Sequence, residues 1–197
     1  MVQTNASRVN VLLLSGGKST RMMGNDKALV NFKSKPMIEH ILEQLPLELI
    51  DKIIISCNRN QHLYKRYTDK LIDDYQYPEI EAYSGPLLGV LTALDRYPCN
   101  NLLVLPCDTP NITTNTLQKI LLSHTKSHAT ITSCMVENKI HPLHSVFQSQ
   151  VRNDLYRYLA SGKRMVQEFL KLYPFNLVDC NDNSDEFKNF NFLEDLE

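Results

Sequence analysis

The chain has 197 residues, with 21 Lys+Arg against 22 Asp+Glu and a formal net charge of −1. That length suits one domain and is enough to bury a sizeable core. The balanced charge argues against a polyanionic partner such as nucleic acid, while a small anionic substrate needs only a few local cations. The five cysteines, Cys57, Cys99, Cys107, Cys134 and Cys180, form no CxxC pair and are odd in number. They read as buried free thiols of a cytoplasmic protein, not as a disulfide framework or a zinc site. Met1 to Asn10 lacks the long apolar stretch of a secretion signal, and no window reaches the ~18 apolar residues of a membrane span.

In chain order, Val9 to Leu14 is a short apolar run that stops at Ser15-Gly16-Gly17, the pattern of a buried strand entering a turn. Met37 to Leu45 places Met37, Ile38, Ile41, Leu42 and Leu45 on one helical face, with Pro36 suited to its first turn. Lys52 to Cys57 is a second strand and Lys70 to Asp73 a short third one. Gly85-Pro86 opens a helix whose apolar positions run from Leu87 to Leu94, with Gly89 allowing close packing. Asn101 to Leu105 is a fourth strand, ending in Pro106-Cys107-Asp108. Thr113 or Thr114 caps a helix reaching Ser123. Strands are predicted at Ala129 to Met135, Leu143 to Phe147 and Phe175 to Val178. Helices are predicted at Gln150 to Ser161 and Lys163 to Leu172, broken at Gly162, with a last helical turn at Leu193 to Glu197. Alternating strands and helices predict a single three-layer α/β/α domain built on a mainly parallel twisted sheet. It spans residues 1–197, with 1–8 as a flexible tail.

Ligands of such sheets bind outside the carboxyl ends of the strands. Two segments there carry chemistry. The loop Leu14 to Lys27 combines glycines, which let backbone N–H groups approach phosphate, with Arg21 and Lys27. It matches neither GxGxxG nor GxxxxGK[ST], so neither dinucleotide binding nor a P-loop is indicated. The second segment is Leu102 to Pro110, where Asp108 stands at a strand end able to offer Mg2+ a carboxylate oxygen. An ordinary glycine turn and a turn-capping aspartate are the plainer readings of these two segments taken singly.

Together they resemble the molybdenum cofactor guanylyltransferases, whose pattern LxGGxSxRMGxDK, GPLxG, LxxPCDTP has its counterparts in Leu14 to Lys27, Gly85 to Gly89 and Leu103 to Pro110. His141-Pro142, Tyr158 to Val166 and Phe190 to Leu196 are similar to further family motifs, so the resemblance covers nearly the whole chain beyond residue 8. It implies a Rossmann-like nucleotidyltransferase fold and Mg2+-assisted transfer of GMP from GTP to molybdopterin, with release of pyrophosphate. It also implies roles. The backbone of Leu14, Ser15 and Gly16 would hold guanine and ribose, Asn58 and Asp74 would contact the nucleoside, and Lys27 would bind the triphosphate. Arg21 would position the phosphates and Asp108 would hold the metal. His141 and Arg164 are candidates for the pterin side.

Three positions depart from the pattern: Ser15 stands for Ala, Ala28 for Gly, and Asn191-Phe192-Leu193 for Asn-Thr-Pro, which leaves Asn191 off the site. The rival within the class is a cytidylyltransferase acting on molybdopterin, or a relative acting on another phosphorylated substrate; Gly16-Gly17 and Asp26-Lys27 favour the guanylyl branch. A binder without turnover would not need Arg21, Lys27 and Asp108 together. No nucleic acid or membrane partner is expected, and transient contacts with proteins that deliver molybdopterin or accept the product are compatible with this reading.

Overall fold

The computed structural model describes residues 8–15, 26–82 and 84–190. Its first strand, β1 (Val9–Leu14), is buried almost end to end, as expected of a strand covered on both faces. A small hairpin follows, β2 (Asn31–Phe32) and β3 (Lys35–Pro36), leading into α1 (Met37–Glu43). Next come β4 (Ile50–Ser56), α2 (Gln61–Tyr64), β5 (Leu71–Ile72), α3 (Pro86–Arg96) and β6 (Asn101–Pro106). The second half contains α4 (Thr114–Ser127), β7 (Ile131–Val136), β8 (Lys139–Gln148), α5 (Arg152–Ala160), α6 (Val166–Leu170) and β9 (Phe175–Asp179). A 3-10 turn, Asn181–Phe187, closes it.

Seven strands form one sheet in the order β5-β4-β1-β6-β8-β7-β9. The pairs β5–β4, β4–β1, β1–β6 and β7–β9 are parallel, and only β8 runs against its neighbours. The expected mainly parallel sheet is therefore what the chain forms. Alternate residues of each strand face opposite layers. Val11 and Leu13 of β1 and Leu103 and Leu105 of β6 pack with Ile38 and Ile41 of α1 and with Leu117 and Ile120 of α4. Leu12, Leu102 and Val104 face the other way, onto Leu88 and Leu91 of α3, Leu155 of α5 and Phe169 of α6. Helices thus cover both faces, giving three layers. Among the described residues no helix is long and apolar enough to cross a membrane. All five cysteines are free thiols, four of them buried.

Several elements differ from the sequence expectation, among them the unanticipated α2 and an α4 that runs past Ser123 to Ser127. The strand expected at Leu143 to Phe147 is longer, Lys139–Gln148. Glu137 and Asn138 both take positive φ, 50° and 61°, the geometry of a tight hairpin turn, so pairing with β7 begins directly at Val136↔Lys139. Pro142, which lacks an N–H, falls where the register shifts between Ser133 and Cys134. The helix expected at Lys163 to Leu172 shrinks to α6. Gly162, at φ 85°, ends α5 in the left-handed conformation, and the chain re-enters a helix only at Val166. The β2–β3 hairpin was not anticipated, because its two-residue strands are too short to show a period. The last turn expected at Leu193 to Glu197 lies outside the described residues.

Two glycines set the approach of α3 to the sheet. A Cβ on Gly89 would stand 3.0 Å from Leu14 Cδ2 and 3.3 Å from Ser56 Oγ, so α3 packs against the carboxyl ends of β1 and β4 only because that atom is missing. Gly85 precedes the helix at φ 89°, ψ −176°, a region that side-chain-bearing residues scarcely enter, with open space where its Cβ would stand. Gly85→Ala isolates this backbone effect, since nothing clashes. It should lower unfolding free energy by about 1–3 kcal/mol in urea titrations. A variant as stable as wild type would show that the turn relaxes without strain.

Candidate active site

The carboxyl ends of β5, β4, β1 and β6 lie side by side, and the backbone ladder continues past them. Ser15 N–H donates to Ser56 O at 3.0 Å, Cys57 N–H to Ile72 O at 2.9 Å, and Cys107 N–H to Leu14 O at 3.3 Å. The turns leaving these strands are therefore held in fixed lateral register. That register brings two pairs of predicted site residues together.

Lys27 and Asp108 form the first pair. Lys27 Nζ donates to Asp108 Oδ2 at 2.8 Å, with side-chain exposures of 16% and 22%. Lys27 opens a 3-10 turn, Lys27–Leu29, anchored by buried Ala28, and Asp108 leaves β6 directly after buried Cys107. A cation and a carboxylate half-sheltered from water at the mouth of a parallel sheet can share the phosphates and counter-ion of a nucleotide. The second pair is Asn58 and Asp74. Asn58 Nδ2 donates to Asp74 Oδ2 at 2.7 Å, and Asp74 N–H donates to Asn58 Oδ1 at 2.9 Å. This reciprocal clasp ties the turn after β4 to the turn after β5 and leaves Asp74 only 7% exposed. Leu14 and Ser15 lie between the two pairs, at the end of β1. Gly16 and Arg21, also on the predicted site, lie outside the described residues.

Several groups that sequence reasoning did not place on the site support it. Asp26, immediately before Lys27, is 7% exposed and accepts from Asn60 Nδ2 at 3.2 Å. Burial raises its pKa; the Asn60 hydrogen bond, the Arg59 charge and the nearby Tyr64 hydroxyl pull the other way. Asn60 sits at φ 51°, ψ 29°, a left-handed conformation that asparagine tolerates. Tyr64 is fully buried beside Asp26 and Ser15, yet neither its hydroxyl nor that of Ser15 finds a well-formed hydrogen bond among the described residues. Cys57 and Cys107 border this pocket of buried polarity, and burial pushes both thiols up to about 12, so they are protonated and inert. On the other side, buried His144 meets Thr109 Oγ1 at 3.0 Å through Nε2, next to Asp108. Burial and its neighbour His141 push the His144 imidazole down to about 3, so it is neutral and acts as a hydrogen-bond partner only.

The two pterin-side candidates are placed differently. His141, on β8, has its ring 5.0 Å from Phe187 and 5.9 Å from His144. Arg164 donates from Nη1 to the carbonyls of Leu159 (2.6 Å) and Lys163 (2.7 Å), so its guanidinium caps the end of α5.

The donor set also bears on a metal. Among the described residues no group of three or more His, Cys, Asp or Glu gathers to hold an ion. One strand-end carboxylate nevertheless fits Mg2+, which keeps several waters and is commonly held by one or two carboxylates plus substrate phosphates.

A lysine and an aspartate meeting at the carboxyl edge of a mainly parallel sheet mark the chain as an α/β protein whose ligand site for charged groups lies at that edge. The comparisons narrow the class. The MobA-like NTP transferase domain model matches residues 11–175. The molybdenum cofactor guanylyltransferase of Haemophilus influenzae (strain ATCC 51907 / DSM 11121 / KW20 / Rd) is 34% identical over 188 residues, 95% of each chain. That of Mannheimia succiniciproducens is 32% identical, over 95% of this chain and 96% of its own. The molybdopterin-guanine dinucleotide biosynthesis protein A of Archaeoglobus fulgidus shares the fold, with a TM-score of 0.76, 20% identity and 95% coverage of each chain. The chain belongs to the MobA-like NTP transferase family, and it is a nucleotidyltransferase.

Buried Asp26 has a pH signature. Its folded pKa lies above the ordinary value, so the native state binds the proton more tightly than the unfolded chain. Its contribution to stability is then fully present below the unfolded pKa and is lost as pH rises through the folded one. Asp26→Asn removes that loss while keeping an oxygen for Asn60. In urea titrations its stability relative to wild type should be more favourable at about pH 7 than at about pH 4. A difference independent of pH would mean that Asp26 is solvated like a surface carboxylate.

Proposed function

We propose that this chain transfers GMP from GTP to molybdopterin. A terminal phosphate oxygen of molybdopterin attacks the α-phosphorus, the bond to the β-phosphate oxygen breaks, and pyrophosphate leaves with the electron pair. The observation that carries the reading is the Lys27–Asp108 pair, which joins the 3-10 turn at Lys27 to the carboxyl end of β6. The names of relatives 34% and 32% identical over nearly the whole chain support the guanylyl donor and the pterin acceptor.

The acceptor is already an anion at neutral pH, so the chain needs no strong base; positioning and charge neutralisation dominate. Lys27 leaves Asp108 for the triphosphate and neutralises charge that grows on the departing pyrophosphate. Asp108, so released, would hold Mg2+, which would supply Lewis-acid neutralisation of the charge that grows in the transition state. Arg21 adds a second cation to the phosphates. The backbone of Leu14, Ser15 and Gly16 reads the purine edge and the ribose, and Asn58 and Asp74 complete the nucleoside side. Molybdopterin approaches from the β8 side, where His141 lies on the strand next to β6. The whole chain acts as one catalytic domain, and its free thiols suit a cytoplasmic location.

A pyrophosphate-release assay with GTP, CTP and ATP, each with and without molybdopterin and Mg2+, tests the reading. Release should require the pterin and be clearly fastest with GTP. Equal rates with all three nucleotides would sink the guanylyl assignment, and a preference for CTP would replace it with cytidylyl transfer.

A further inference from the structure

The 3-10 turn after β9 and the residues that follow it, through Phe190, fasten onto the Asp108 side of the site in three places. Glu186, 8% exposed, caps the start of α4: its carboxylate accepts from the Thr113 N–H and from the Thr113 hydroxyl, both at 3.0 Å. Asn183 Nδ2 steadies the same carboxylate at 2.7 Å. One residue on, the buried Phe187 ring lies 4.8 Å from that of His144, which in turn bonds Thr109. Then Phe190 N–H donates to the Asp108 carbonyl at 3.0 Å, and the Phe190 ring lies 4.5 Å from that of Phe32.

Phe32 is on β2, in the hairpin that follows the Lys27 turn. Phe190 therefore touches both halves of the site: through its backbone the turn that carries Asp108, through its ring the segment that carries Lys27. These halves also meet through the Lys27–Asp108 ion pair, above the core cluster that Ala28 and Cys107 share. An ion pair that must open to admit a triphosphate cannot by itself hold the halves in register during the reaction. An apolar ring contact is indifferent to that exchange of partners.

Resting on the transfer reading above, we propose that Phe190 is a positioning residue for nucleotidyl transfer, keeping the Lys27 and Asp108 segments in register after their ion pair opens. It touches neither nucleotide nor metal in this role. Phe190 is only half-buried, so truncating its ring disturbs the core little.

Phe190→Ala removes the ring and keeps the N–H, while Phe190→Leu keeps an apolar side chain against Phe32. For each, kcat and the KM for GTP are read from pyrophosphate release and stability from thermal melting. Binding of Mn2+, as a spectroscopic substitute for Mg2+, is followed by electron paramagnetic resonance with a non-hydrolysable GTP analogue. Misplacement of reacting groups by about 1 Å can cost about 100-fold, so Phe190→Ala should lose about 10-fold or more in kcat. Its Mn2+ affinity in the nucleotide complex should fall, its melting temperature should stay close to wild type, and Phe190→Leu should recover most of the rate. A Phe190→Ala rate within about twofold of wild type overturns the proposal. So does a rate loss that follows the melting temperature and leaves Mn2+ binding untouched, the mark of a merely structural contact. A wild-type chain that releases no pyrophosphate with GTP and molybdopterin overturns the transfer reading itself, and the proposal with it.

Discussion

The site is organised by one ion pair between residues far apart in sequence, Lys27 Nζ on Asp108 Oδ2 at 2.8 Å. Every larger feature of the fold serves to bring them together. β1 and β6 pair in parallel with Leu14 opposite Pro106, which sets the end of one strand beside the end of the other. On the Lys27 side, the neighbouring Asp26 is fixed by its buried carboxylate, which is held by Asn60 after β4. In the absence of ligand each charge of the pair satisfies the other. In the transfer proposed above, a nucleotide with its counter-ion supplies both with new partners at once, phosphate for the lysine and metal for the carboxylate. On that proposal the pair is a ligand site already built with balanced charge, in a protein whose net charge is only −1.

Around that pair the chain uses buried polar groups to hold backbone in place. Asn58 and Asp74 clasp two neighbouring turns, Asp26 and Asn60 clasp two others, and neutral His144 steadies Thr109 beside Asp108. A satisfied buried polar contact specifies one arrangement more sharply than apolar packing, because leaving one partner unmet is costly. The exposed strand ends of a parallel sheet need such clasps, since the ladder bonds run out just beyond them. The apolar layers on the two faces then supply the stiff base, with Gly89 letting α3 come within contact of Leu14 and Ser56.

Much of this was legible in the sequence because it is local. The run Val9 to Leu14 followed by glycines, and the run Leu102 to Leu105 followed by Pro106-Cys107-Asp108, declare the strands and set candidate site residues at their ends within a dozen residues. Asn58 and Asp74 were legible as the polar residues at strand ends, and the structure joins them. What could not be read depends on contacts between distant segments. Glu186 caps α4 through Thr113, 73 residues away, and no local pattern marks that partner. Asn60 in a left-handed turn and Tyr64 buried in a one-turn helix follow from packing, not from period or propensity. His144 had one available signal, its place on the buried face of β8 beyond His141-Pro142, but Pro142 hid the full length of that strand. Arg164 shows the reverse case: a motif position whose side chain, in this structure, caps α5.

The central claim is that Lys27 and Asp108 act as one unit on the nucleotide, and a double-mutant cycle tests it most directly. Lys27→Ala, Asp108→Asn and the double variant are compared in kcat/KM for GMP transfer, with thermal melting on the same samples. Asn caps a turn about as well as Asp, so melting should hardly move if Asp108 is a site residue and not a cap. Loss of one well-placed charged donor typically removes about 2.7–4 kcal/mol of transition-state stabilisation, so the Lys27→Ala variant should fall by orders of magnitude. Groups that work as a unit are non-additive, and the double variant should be scarcely worse than the poorer single one. Losses that multiply would contradict the account, and so would an Asp108→Asn variant that transfers GMP at the wild-type rate.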